Sequence, residues 1–210
     1  MAEAGSLMAR SPDLRVVGKM WGGAFGAMKR KLLGGETFFF QEITTAVAGS
    51  EVLLSPKIPG DIKVIEVDHG EDFFVRSGCL LAAFDDVEMD TKAQKLGAGL
   101  FSGTGFFALH LKGRGQIVIS SFGAIMEIPI PAGEQSIIDN GHLVAWSGDT
   151  PYKIVKSAST WGSSFTTGGG FACQFEGPGR VWVQTRNPKL FAVWLSAFIP
   201  GKSPLLALFG

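Results

Sequence analysis

The sequence predicts an all-β fold, a pseudo-symmetric repeated β-sandwich, and three observations predict it. Glycine (29 residues) and phenylalanine (17 residues) are prominent in a chain of 210, which suits many short strands joined by tight turns. Apolar residues fall in runs of strand length, such as 106–111 and 117–121. These runs also recur in the same order along the chain, an internal repeat that fixes the architecture before any single element does.

Residues 99–133 set the pattern. Their two apolar runs flank Lys112-Gly113-Arg114-Gly115, and a short Gly-containing link between strand-like runs predicts a β-hairpin. The order returns at 171–184, where Phe171, Cys173 and Phe175 precede Gly177-Pro178-Gly179 and a second run. Gly113 and Gly115 map onto Gly177 and Gly179, a spacing of 64 residues each time.

From the amino terminus, residues 9–17 read as extended, because Pro12 and Asp13 oppose a helix start. Residues 21–33 carry Gly22, Gly23 and Gly26 before the basic triplet Lys29, Arg30 and Lys31. Each glycine weakens a helix by about 1 kcal/mol, so this segment reads as a solvated loop or short helical turn and not as a phosphate contact. Residues 37–54 give two strands around Ala48-Gly49-Ser50, a blurred copy of the hairpin. Pro59-Gly60-Asp61 opens a further strand, and its counterpart begins at Pro131-Ala132-Gly133. Gly78 to Ala82 align with Gly141 to Ala145 at an offset of 63.

These matches divide the chain into a single repeat-built β domain over residues 1–189 and an apolar C-terminal helix and tail over 190–210. The units fall at about 9–55, 56–123 and 127–187. Pro200 and Pro204 confine a C-terminal helix to 190–199. Unit one starts late: residues 9–14 match 83–87, so the opening turn and its two strands have no counterpart. Strands that this pair would cover then carry open backbone donors and acceptors. The apolar tail and a partner chain are the two candidates to cover them.

Composition and motifs exclude more chemistry than they support. Lys plus Arg and Asp plus Glu balance at 19 each, so no net field draws the chain to nucleic acid or an anionic membrane. Cys79 and Cys173 show no CxxC spacing, which argues against a zinc knuckle or disulfide framework, and Cys173 reads as a buried thiol. The amino terminus has no long apolar run for a secretory signal. Gly97-Ala98-Gly99 is followed by Ser102 where a dinucleotide fingerprint needs its third glycine, and Gly201-Lys202-Ser203 lacks the first glycine of a P-loop. His69, His110 and His142 are unpaired in spacing and read as turn or surface residues, not metal ligands. Asp86, Glu88 and Asp90 alternate and are expected on one strand face, as a solvated row that deters edge pairing and not as a Ca²⁺ site or acid-base pair. No catalytic, cofactor-binding or metal residue is assigned.

At the motifs GGETFFFQ, LLSPKIPGDI, VRSGCLLAAFDDVEMDTK, LFSGTGFFALHLKGRGQIVISSFGAI, DNGHLVAW and FEGPGRVWVQTRNP the sequence resembles the AIM24 family, over most of residues 34–195. The resemblance implies a β-rich fold grouped with the tryptophan-attenuator-like branch of double-stranded β-helices, without an established activity or cofactor. It implies inner-membrane association in mitochondria for eukaryotic relatives and a cytoplasmic place for bacterial ones. The chain departs from that pattern at its front, where relatives have an additional pair of strands.

The expected function is therefore a non-enzymatic structural or assembly factor, a subunit of an oligomer or membrane-associated complex. Its contacts are expected through the open strand edge and the apolar tail, with a peripheral membrane contact as a further option. The alternative is a small-ligand binding module with an aromatic-lined cleft.

Overall fold

The computed structural model describes residues 1–20, 39–76, 78–84, 86–90, 108–156 and 171–199. The basic triplet, the Gly-rich linker around Gly97, and Gly201-Lys202-Ser203 lie outside the described residues.

The first repeat contains β1 (Ala2–Glu3), β2 (Leu7–Arg10), β3 (Arg15–Met20), β4 (Phe39–Thr44) and β5 (Val52–Leu54). The second contains β6 (Ile62–Val67), β7 (Asp72–Arg76), β8 (Leu80–Ala83), β9 (Glu88–Asp90), β10 (Ala108–Lys112) and β11 (Gly115–Ser120). The third contains β12 (Ile125–Ile130), β13 (Gln135–Asp139), β14 (Leu143–Ser147), β15 (Tyr152–Lys156), β16 (Phe171–Glu176) and β17 (Gly179–Gln184). Every strand of the third repeat starts 63 or 64 residues after its counterpart, as in 62 to 125 and 115 to 179. A single helix, α1 (Pro188–Ser196), follows among the described residues.

The repeats are interlocked rather than set side by side. Sheet I has the order β3-β4-β1-β8-β11-β6 and sheet II the order β12-β17-β14-β7-β10-β9. Each six-stranded sheet thus takes three strands from one repeat and three from the next. Sheet III (β13-β16-β15) and sheet IV (β2-β5) are the leftover parts of the last and first repeats.

Sheet II lies between two cores. On β7, Phe73 and Val75 enter a core shared with Leu80, Leu111, Ile117 and Ile119, whereas Phe74 enters one shared with Trp146, Cys173 and Phe175. Successive strand residues point to opposite faces, so a sheet buried on both sides reads as a continuous apolar run. Phe73-Phe74-Val75 and Leu143-Val144-Ala145-Trp146 are such runs, all buried.

Three expectations are corrected. The Lys112 to Gly115 link does not close a hairpin: β10 pairs with β7 and β9 in sheet II, while β11 pairs with β6 and β8 in sheet I. The links from β16 to β17 and from β4 to β5 likewise pass between sheets. A four-residue Gly-rich link serves a sheet-to-sheet crossing as well as a hairpin, and its length alone does not separate them. At the front, β1 occupies the position of β7 and pairs with β8, so among the described residues only the counterpart of β6 and β12 has no equivalent. The helix begins at Pro188 and ends at Ser196, with Ala197 to Ile199 in turns. Asn187 caps it by accepting from the Lys189 and Leu190 amides, and Pro188 suits the first turn.

Candidate functional site

Two surfaces qualify as sites. The first is a groove of about 350 Å³ lined by residues of β6, β12 and β17 and of the β6–β7 turn, including Lys63, Glu71, Glu127, Arg180 and Trp182. Its two basic residues are each paired with an acidic one, while Glu66 and Asp68 add further negative charge. Lys63 Nζ lies 2.6 Å from Glu127 Oε2, and Trp182 Nε1 donates to the same oxygen at 3.1 Å. The hydrogen bond from Lys63 holds the Glu127 carboxyl below the usual glutamate range. The Arg180 guanidinium covers Trp182 at 5.4 Å and Phe73 at 5.9 Å, and reaches Glu71 at 3.8 Å.

A smaller cavity of about 180 Å³ adjoins it, lined by 70–73 and 147–149. It offers no nucleophile and base in contact: Ser147 Oγ is bonded to Thr150 Oγ1 and to the backbone of Arg180, not to histidine. The histidines stand apart. His110 pairs with Asp72 at 2.8 Å and stacks on Phe74, His142 contacts the Gln184 carbonyl at 2.7 Å, and His69 is exposed in the β6–β7 turn. Asp86 lies in the turn before β9 rather than in line with Glu88 on the strand. No group of metal-ligating side chains assembles among the described residues. The cysteines are buried and not disulfide-bonded, and burial pushes the Cys173 thiol up to about 12.

Four of the large aromatic side chains are spent inside. Trp146, Phe175, Phe73 and Trp182 rank among the largest fully buried side chains, and stacking of Trp146 on Phe74 with edge contacts to Tyr152 and Phe175 fills the second core.

The second surface is formed by the two incomplete sheets; sequence reasoning anticipated an open edge at the front of unit one and not the one at β13. Repeat correspondence identifies what is uncovered. Pairing aligns Ala9 with Leu53, Ala82 with Val118 and Ala145 with Trp182, so Met8 and Leu53 of sheet IV stand where Val144 and Trp182 stand in sheet II. Val144 and Trp182 are 0% and 1% exposed, whereas Met8 and Leu53 are 65% and 53% exposed. At the other end, Ile137 of β13 stands where Phe74 does, and is 63% exposed against 5%. Nothing in the sequence marks these residues, because an apolar strand position reads the same whether or not a further sheet lies over it.

Met8, Leu53 and Ile137 stay exposed with helix α1 in place, and residues 200–210 of the apolar tail lie outside the described residues. The helix seats Phe191 on Phe122 at 5.0 Å and leaves Trp194 and Leu195 outward, with Phe198 also exposed in the turn that follows. No helix among the described residues is long and apolar enough to cross a membrane.

A family model described as "Mitochondrial biogenesis AIM24" matches residues 1–186. The Uncharacterized protein M6_Spy0233 of Streptococcus pyogenes serotype M6 is 32% identical over 181 residues, 85% of this chain and 71% of that protein. The crystal structure of protein SPYM3_0169 from Streptococcus pyogenes is similar with a TM-score of 0.76 and 27% identity, over 94% of this chain and 88% of that one.

Proposed function

Since the chain belongs to the AIM24 family, we propose that it acts as a non-enzymatic structural or assembly component, a subunit of an oligomer or membrane-associated complex. The observation that carries this reading is the pair of half-sheets at the two ends of the fold, with Met8, Leu53 and Ile137 open where the internal repeats are sealed. Unpaired strand edges beside exposed apolar side chains are templates for further pairing.

The family description supports a place in mitochondrial-type assemblies for eukaryotic members. The streptococcal relative supports a more general role, since a bacterium has no such organelle. A peripheral membrane contact draws support from Trp194 on α1 and Phe198 in the turn after it, both exposed. A groove lined largely by charged groups, with Trp146, Phe175, Phe73 and Trp182 buried, leaves little to recognise a small apolar ligand.

Size-exclusion chromatography with light scattering on the full chain tests the reading, with and without lipid vesicles. An oligomer or vesicle-bound species is expected. A lone monomer under both conditions would overturn it.

A further inference from the structure

The repeat correspondence also says what each open end would accept. Inside the chain, the joint between neighbouring repeats is always the same antiparallel pairing. β8 lies against β1 through Ala82 and Ala2, and β14 lies against β7 through Ala145 with Val75 and Trp146 with Phe74. Continuing the series by one step, the strand that follows β13 is the counterpart of β8 and β14, which is β2. The strand that precedes β2 is the counterpart of β1 and β7, which is β13. Neither has this partner here: among the described residues β13 is paired only with β16 and β2 only with β5.

Building on the assembly reading above, we propose that the partner is a second copy of this chain, joined head to tail with β2 of one copy against β13 of the next. The register follows from the internal joints, with Ala9 opposite Ile138 and Arg10 opposite Ile137. The joint extends sheet III into the order β5-β2-β13-β16-β15. It lays Met8 and Leu53 over the second core, in the roles that Val144 and Trp182 play over the first, and covers Ile137 from the other side.

Closure within one chain does not meet this geometry. Sheet II and both cores stand between sheets I and III, and two sheet spacings of about 10 Å each separate layers whose paired strands must lie about 4.8 Å apart. Short connection Ala4 to Ser6 holds β2 beside β1 of sheet I. A contact that uses different surfaces on its two sides is heterologous, and closes into a ring or runs as a filament.

The test mixes two single variants of the full chain, Arg10→Cys and Ile137→Cys, under mild oxidation, with circular dichroism to verify folding. A covalent dimer on a non-reducing gel is expected from the mixture, well above either variant alone. Pairing Arg10→Cys with Gln135→Cys, two positions out of register, should lower the yield several-fold. No dimer from the mixture, or equal yield from the shifted pair, overturns the proposal. So does a double variant Arg10→Cys/Ile137→Cys that bridges only within its own chain. Independently, Ile137→Glu should weaken self-association of the untagged chain at least tenfold in light scattering, and an unchanged assembly would count against this joint. If the wild type assembles without the cross-link, the head-to-tail joint falls while the assembly reading stands. A wild type that stays monomeric and binds no vesicles brings down both.

Discussion

Glu127 shows how a surface charge becomes structural through the side chain it serves. Trp182 is almost fully buried, and its indole N–H finds its acceptor in Glu127 Oε2. Glu127→Ala removes that acceptor and should cost about 1–3 kcal/mol, the penalty of an unmet buried donor. Glu127→Gln keeps an oxygen there and should cost less than about 1 kcal/mol, since an exposed ion pair with Lys63 is worth little. Urea denaturation of the two variants distinguishes these outcomes. Because the folded-state pKa of Glu127 is lowered, its contribution is present above the ordinary glutamate range and fades as pH falls through the folded value. The second core has the opposite dependence. Burial raises Cys173 from 9.0 and Tyr152 from 10.0, both to about 12. The unfolded chain therefore loses these protons first, and stability is complete below about pH 9 and lost as pH rises towards 12. A Cys173→Ala/Tyr152→Phe variant should show a flatter alkaline unfolding profile than the wild type. At neutral pH Tyr152→Phe should be tolerated, because the hydroxyl is buried without a hydrogen-bond partner among the described residues.

Elements show where the sequence was readable and where it was silent. The strands of the second and third repeats were legible, because Gly113 with Gly177 and Gly78 with Gly141 mark equivalent points by spacing alone. Their pairing was not. A link such as Lys112 to Gly115 is compatible with turning back beside the preceding strand or stepping to another sheet, and what decides is how the other repeats are placed. The step demands its glycine. A Cβ on Gly113 would lie 2.2 Å from the Asp86 carbonyl oxygen, at a φ of +120° that side chains rarely adopt. Its counterpart Gly177 would place a Cβ 2.1 Å from the Pro131 carbonyl oxygen. Gly113→Ala should therefore cost about 2 kcal/mol or more, read as a lower denaturation midpoint. A neutral outcome would mean that the link has room to shift. The candidate site was legible only as an absence at the front of unit one. Met8, Leu53 and Ile137 carry no local signal, and their meaning comes from the buried residues they correspond to elsewhere in the chain.

At the scale of the molecule, interlocking decides how stability is shared. The first core lies mainly within the second repeat, yet it includes Phe40 from the first and Val144, Ala145 and Trp182 from the third. The second core likewise takes Phe74 from the second repeat. A tandem array with self-contained repeats would lose its units one at a time, since each would depend only on modest contacts with its neighbours. Here a chain ending at residue 123 would strip β12, β14 and β17 from sheet II. The missing Trp182 alone corresponds to about 3–5 kcal/mol of core packing, comparable with the roughly 5–15 kcal/mol that holds a typical domain folded. Residues 1–123 should therefore fail to give a cooperative fold when made alone. In the intact chain, thermal unfolding followed by far-ultraviolet circular dichroism and by the fluorescence of buried Trp146 and Trp182 should trace one coincident transition. Two separate steps, with the fragment retaining the first, would mean that each repeat seals its own core and that the exchange of strands between sheets contributes little to holding them together.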